Sequence, residues 1–186
     1  ITEDLIFTDP YRVAEQNRWT QPWLDATAAR FRDDFDLHIA VSRLKLKFLN
    51  TPEALIHGDL HTGSIMVTEQ ATVVIDPEFA FYGPMGFDIG AVIGNLLMAY
   101  LASAGHEQAP GDRRAFEAWL LETVESVWTE FVRKFLDLWR TQAGGDAYPA
   151  TLFAAEAGAA RLEAERQAYM ERLFGDTMGF AAAKII

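Results

Sequence analysis

Leu55-Ile56-His57-Gly58-Asp59-Leu60-His61-Thr62-Gly63-Ser64-Ile65-Met66-Val67, followed after a polar turn by Thr72-Val73-Val74-Ile75-Asp76-Pro77-Glu78-Phe79, is the stretch on which the fold turns. Leu55-Ile56 is short and apolar, and the runs at 65–67 and 72–75 are rich in β-branched residues, which pack well on a pleated surface. They predict short strands arranged around a hairpin. Asp59 falls in the loop after the first of these runs, and Asp76 and Glu78 follow the third. Two residues apart on extended chain, Asp76 and Glu78 project to the same side.

Working outward, the pattern becomes helical. Downstream, 76–86 is turn-rich and leads into the most apolar stretch, 89–104. That stretch falls short of the ~20 residues a membrane span needs and has Asn95 at its middle, so it predicts a buried core helix. Helices are expected over 112–141 and 150–174. Asp112 is placed as N-cap of the first and Gly144-Gly145 at its end. Its stripe of Phe116, Leu120, Val124, Val127, Phe131, Phe135 and Leu138 has the spacing of core packing. Upstream, Leu37, Val41, Leu44 and Phe48 fall on one face of a helix predicted over 26–49, with Arg32-Asp33-Asp34-Phe35-Asp36 as a solvated helix start. Residues 1–30 are loop-rich, punctuated by Asp9-Pro10 and Gln21-Pro22. The expected class is mainly α, α+β overall, with the polar peculiarities concentrated on a small β-hairpin.

Composition narrows the possible partners. Half of the 186 residues are hydrophobic and 23% are charged, the balance of a globular domain and not of a disordered tail. A formal net charge of -11 argues against a nucleic-acid partner, which would need clustered Lys and Arg. It does not exclude a nucleotide, because carboxylates can hold Mg2+ and the metal screens the phosphates. Cysteine is absent, which excludes disulfides and thiol catalysis and suits a reducing, cytoplasmic setting. Ile1-Thr2-Glu3-Asp4 has no basic n-region, so no signal peptide is expected. The chain opens without methionine and closes inside a helical pattern, so it is expected to be part of a longer protein.

Phosphoryl transfer needs an oriented acceptor hydroxyl, a group to take its proton, and a metal held by hard oxygen ligands. Asp59, isolated on its loop, and the Asp76/Glu78 pair divide in that way. The order His57-Gly58-Asp59 and then Asp76-Pro77-Glu78 resembles the catalytic loop and metal-binding motif of kinases, with Ser64 in the place of the metal-binding Asn. His-Gly-Asp in place of His-Arg-Asp resembles the aminoglycoside phosphotransferase and choline kinase branch of the protein-kinase-like fold. The longer strings Gly58-Asp59-Leu60-His61-Thr62-Gly63-Ser64 and Asp76-Pro77-Glu78-Phe79-Ala80-Phe81-Tyr82-Gly83-Pro84-Met85-Gly86-Phe87-Asp88-Ile89-Gly90 are similar to the methylthioribose kinase family. Phe7-Thr8-Asp9-Pro10-Tyr11-Arg12 and Asn17-Arg18-Trp19-Thr20 add to that similarity, which is densest over 1–100.

The resemblance implies that residues 1–186 form the C-terminal, catalytic-loop lobe, with the ATP-binding lobe outside this chain. The intact enzyme would phosphorylate the 1-hydroxyl of 5-methylthioribose with ATP and Mg2+, in the cytoplasm and as a homodimer. Asp59 would be the base and touch the sugar. Asp76, Pro77 and Glu78 would meet ATP, and Asp76 and Glu78 would ligate Mg2+. Ser64 would be a third ligand, directly or through water. His57 and His61 would support the loop, and Asp88 would brace its backbone. An arginine pair of the family would follow the segment 179–186. No Gly-rich phosphate loop or strand lysine occurs in the chain, so this lobe is expected to be inactive by itself.

Other readings stand beside this one. His57-x-Asp59-x-His61 alternates as a metal triplet of a phosphohydrolase would. A different small-molecule phosphotransferase, acting on an aminoglycoside, choline or homoserine, uses the same motifs, and a non-catalytic binding module could retain the lobe. Asp76-Pro77-Glu78 alone would be an ordinary surface turn.

Overall fold

The computed structural model describes residues 2–142 and 147–186. The elements in chain order are helices α1 (Thr2–Phe7), α2 (Asp25–Asp33) and α3 (Phe35–Asn50), strands β1 (Ala54–Ile56), β2 (Ile65–Val67), β3 (Thr72–Val74) and β4 (Phe81–Gly83), and helices α4 (Met85–Ser103), α5 (Arg114–Gln142) and α6 (Glu156–Ile185). The chain divides into two compact units. One comprises Ile1–Asn95 with Asp176–Ile186, the other Leu96–Gly175.

The first unit is built on one aromatic-rich core. Ile6, Phe7, Tyr11, Val41, Ile56, Phe87, Phe180 and Ala183 are buried together, and Leu37, Leu44 and Phe48 pack against them. The face predicted for the upstream helix is therefore the inner face of α3. Phe87 and Phe180 meet edge to face with ring centroids 5.5 Å apart, and Phe48 lies 4.9 Å from Phe87, a geometry aromatic pairs prefer. The expected single helix over 26–49 is two. Asp34 leaves helical geometry and its carboxylate accepts from the Leu37 amide, so the acidic run caps a new helix instead of continuing the old one.

The strands form two small antiparallel pairs. β2 and β3 make the predicted hairpin, with Ile65 opposite Val74 and Val67 opposite Thr72. β1 pairs with β4, Ala54 opposite Gly83 and Ile56 opposite Phe81. β4 lies within the segment 76–86 that the sequence marks as turn-rich. The β2–β3 hairpin leaves Met66, Val67, Val73 and Val74 exposed.

α4 is longer than the apolar stretch alone suggested. Met85–His106 is, among the described residues, a helical segment long and apolar enough to cross a membrane. Phe87, Ala91, Val92, Ile93 and Leu96 along it are buried in the protein. α4 comes very close to the last turns of α6. A Cβ on Gly90 would lie 2.5 Å from the Thr177 carbonyl oxygen, and one on Gly94 3.0 Å from that of Ala181. At Gly90 only glycine permits that approach, at Gly94 a side chain would be tight, and the contact sets the end of α6 against the start of α4.

In the second unit α5 and α6 run antiparallel. Trp128 meets Phe174, Phe135 stacks on Tyr169, and Arg140 pairs with Glu163. Arg140, Gln167 and Arg166 together hold the Glu163 carboxyl down to about 2. The stripe is shifted at its ends from the one predicted. Leu120 and Leu136 are buried, Phe116 and Leu138 are exposed, and Trp139 takes the last inner position against Tyr169. Asp112 does not cap α5. The helix begins at Arg114, and the Asp112 carboxylate accepts from the amides of Gln108 and Ala109 behind it. Gly144-Gly145, expected to end this helix, lies outside the described residues. α6 runs on through Gly175 and Gly179 to Ile185, well past the 174 predicted.

Candidate active site

The loop from His57 to Ser64 leaves β1 and is held at both ends by α4. At its start, the Asp88 carboxylate accepts from two consecutive backbone amides, Oδ2 from His57 (2.5 Å) and Oδ1 from Gly58 (3.1 Å). Asp88 is 9% exposed, and burial raises its pKa against the lowering effect of those two amides. At the other end, the Thr62 amide and hydroxyl both donate to Asn95 Oδ1, at 3.4 and 3.2 Å. Asp88 and Asn95 are two turns apart, so one helix face clamps the loop twice.

Glycine at 58 is required by geometry. Its φ is +83°, and a Cβ there would stand 2.2 Å from the Phe79 carbonyl oxygen. The segment carrying Asp59 thus lies directly against the segment carrying Asp76 and Glu78. Histidine secures the same junction. The Asp59 amide donates to His57 Nδ1 (3.3 Å), so Nε2 carries the proton and donates to the Ile75 carbonyl (2.8 Å). Ser64, 3% exposed, ties in from the other side, its carbonyl accepting from the Ile75 amide at 3.0 Å. His61 shapes the loop tip, its Nδ1 accepting from the Gly63 amide at 3.0 Å.

These contacts dispose of the metal triplet. Both ring nitrogens of His57 and one of His61 are taken by the protein's own groups. Among the described residues, no group of three His, Cys, Asp or Glu side chains could hold a metal ion.

The carboxylates differ sharply in their company. Asp59 is half-buried, with Oδ1 3.0 Å from Lys184 Nζ and Oδ2 4.0 Å from His61 Nε2, the latter an ion pair only when the imidazole is protonated. Asp76 and Glu78 are exposed. Among the described residues neither carboxylate has a hydrogen bond or ion pair, and Asp76 sits at φ +66°. Two unpaired hard oxygen donors on one turn suit Mg2+, which keeps several waters and takes one or two carboxylates besides the phosphates it bridges. The residues present therefore fit the metal that the motifs imply.

Lys184, which no motif in the sequence marks, is the structure's addition to the site. The spacing of Thr177, Ala181 and Lys184 at i, i+4 and i+7 places them on one helix face, but only the folded structure shows that face to be buried, Thr177 and Ala181 at 0% and 1% exposure. A lysine on a buried stripe needs a partner.

Comparison with known proteins places this arrangement. The model of the phosphotransferase enzyme family matches residues 1–136, and the chain belongs to that family. Its mainly helical architecture with a few short strands is that of the large lobe of a protein-kinase-like fold. The chain is 46% identical over 188 residues to methylthioribose kinase 2 of Oryza sativa subsp. japonica, covering 100% of this chain and 43% of that protein. It is 43% identical to methylthioribose kinase of Escherichia coli O45:K1 (96% and 42% covered) and 40% identical to that of Geobacillus kaustophilus (100% and 41% covered). The chain spans about two fifths of the length of these curated relatives.

Proposed function

We propose that this chain is the catalytic-loop lobe of an ATP-dependent methylthioribose kinase, whose ATP-binding lobe lies outside residues 1–186. The intact enzyme would transfer the γ-phosphoryl group of ATP to the 1-hydroxyl of 5-methylthioribose, giving 5-methylthioribose 1-phosphate and ADP, a step of methionine salvage. The observation that carries the reading is the doubly clamped loop bearing Asp59, packed at Gly58 against the segment that carries Asp76 and Glu78, in a chain similar along its length to methylthioribose kinases. A cytoplasmic homodimer, with no nucleic-acid or membrane partner, completes the proposal.

Each residue then has a task. Asp59 receives the proton of the acceptor hydroxyl and orients that oxygen on the phosphorus, the work of a general base. Asp76, Pro77 and Glu78 would face the nucleotide phosphates, and Asp76 and Glu78 would hold Mg2+, with Ser64 as a third ligand directly or through water. When bound, the metal neutralises charge on the transferring phosphoryl oxygens. Asp88, His57 and His61 keep the loop in place and do not touch the reactants.

The test is steady-state turnover of the full-length protein with ATP, Mg2+ and one acceptor at a time: methylthioribose, choline, homoserine and an aminoglycoside. Methylthioribose should be the preferred acceptor, and Asp59→Asn should lower its turnover by ~10²–10⁴-fold. Preference for another acceptor would refute the substrate, and an unimpaired Asp59→Asn enzyme would refute the base.

A further inference from the structure

We infer that Lys184 is a positioning residue of the transfer site, holding one oxygen of Asp59 so that the other is presented to the acceptor hydroxyl. The inference rests on the kinase reading above. Its observation is the ion pair between Lys184 Nζ and Asp59 Oδ1 at 3.0 Å, bridging 125 residues of sequence. Within the pair the cation is the better buried partner, its side chain 19% exposed against 42% for the aspartate. The ammonium group is a fixed floor on which the carboxylate rests, not a mobile surface counter-ion.

Three features keep it fixed. Nζ lies 5.5 Å from the centroid of the fully buried Phe87 ring, a cation–π arrangement that favours a charged head there. The helix that carries it is locked to α4 through the contacts at Gly90 and Gly94. The Lys184 charge also reaches the buried Asp88, whose pKa it lowers against the raising effect of burial. Among the described residues, Asp59 has this cation while Asp76 and Glu78 have no ion pair.

Lys184 divides the labour between the two oxygens of Asp59. Oδ1 is committed to Nζ, a charge-assisted hydrogen bond that fixes the rotamer. Among the described residues Oδ2 has only His61 at 4.0 Å, which leaves it to the substrate. There it takes the proton of the acceptor hydroxyl while that oxygen bonds to phosphorus and the bond from phosphorus to the ADP oxygen breaks. Phosphoryl transfer depends on positioning, and a misplaced base is costly even when its chemistry is intact.

The experiment compares Lys184→Met, Lys184→Arg and Asp59→Asn in the full-length enzyme, reading kcat and both KM values. Methionine keeps a long stem over Phe87 without the charge, and arginine restores a cation. Lys184→Met should lower kcat by ~10–10²-fold with the KM for ATP within about threefold of wild type, and Lys184→Arg should recover about fivefold or more of that loss. A purely structural lysine would not show rescue confined to kcat. Lys184→Met turning over within about threefold of wild type, or Lys184→Arg no better than Lys184→Met, overturns the inference while a dead Asp59→Asn leaves the kinase reading standing. An active Asp59→Asn would sink both. If Lys184→Met does not fold, Lys184→Gln takes its place under the same criteria.

Discussion

Replacing Gly58 by alanine should damage stability and turnover together, and the structure says by how much. At φ +83° an L-residue costs ~1–2 kcal/mol of backbone strain. The new Cβ would also stand 2.2 Å from the Phe79 carbonyl oxygen, where ordinary contact begins near 3.4 Å. Backbone cannot swing aside as a side chain does, so one of the two segments must move by about an ångström, at the ~1–3 kcal/mol typical of overpacking. The combined loss is roughly 2–5 kcal/mol, or ~4–20 °C in Tm for a protein of this size. The displaced segment carries Asp59, so turnover should fall by about 10²-fold even at temperatures where the variant stays folded. Gly175→Ala is the control. It lies inside α6 with nothing among the described residues that a Cβ there would meet within 4 Å, and alanine there should stabilise by ~0.5–1 kcal/mol through helix propensity alone. Thermal and urea unfolding of both variants, with turnover measured in parallel, is the assay. If Gly58→Ala unfolds within about 0.5 kcal/mol of wild type and keeps its turnover, the close approach of the two segments is not real.

Two further perturbations address the metal and the brace. Asp76→Asn should raise the Mg2+ concentration needed for half-maximal activity and weaken ATP, because a neutral amide replaces a carboxylate ligand, and Glu78→Gln should do so more mildly; unchanged Mg2+ dependence in both would place the metal elsewhere. Asp88 has its pKa raised above the ordinary 3.8 by burial, so the folded protein binds this proton more tightly than the unfolded chain. The associated stability is fully present below 3.8 and is lost as pH rises through the folded value. The stability of wild type relative to Asp88→Asn should therefore fall over that interval and level off above it, and a rise measured by urea unfolding would contradict the burial argument.

The parts of this fold that were legible in the sequence are those whose signal is local. The β2–β3 hairpin announces itself through β-branched runs around a polar turn, and the inner face of α3 through the spacing of Val41, Leu44 and Phe48. β4 does not, because three residues become a strand only when β1 lies beside them. The helical pattern at the chain's end was legible, but its join to the 150–174 helix across Gly175 and Gly179 was not, since tertiary packing overrode a glycine penalty of about 1 kcal/mol each. The candidate site divides in the same way. Asp59, Asp76 and Glu78 stand out by motif, whereas Lys184 reaches Asp59 only through the glycine-lined approach of α4 and α6. Asn95 looked like a polar interruption of an apolar run and is instead the second clamp on the loop.

The central claim is that this lobe serves transfer of a phosphoryl group to the 1-hydroxyl of methylthioribose, and the most direct measurement is of where the phosphorus goes. Full-length protein incubated with ATP, Mg2+ and methylthioribose should yield, by phosphorus NMR, a sugar phosphate ester coupled to the anomeric proton, formed in step with ADP. Inorganic phosphate as the main product, or a phosphate ester on any other hydroxyl, would contradict the account.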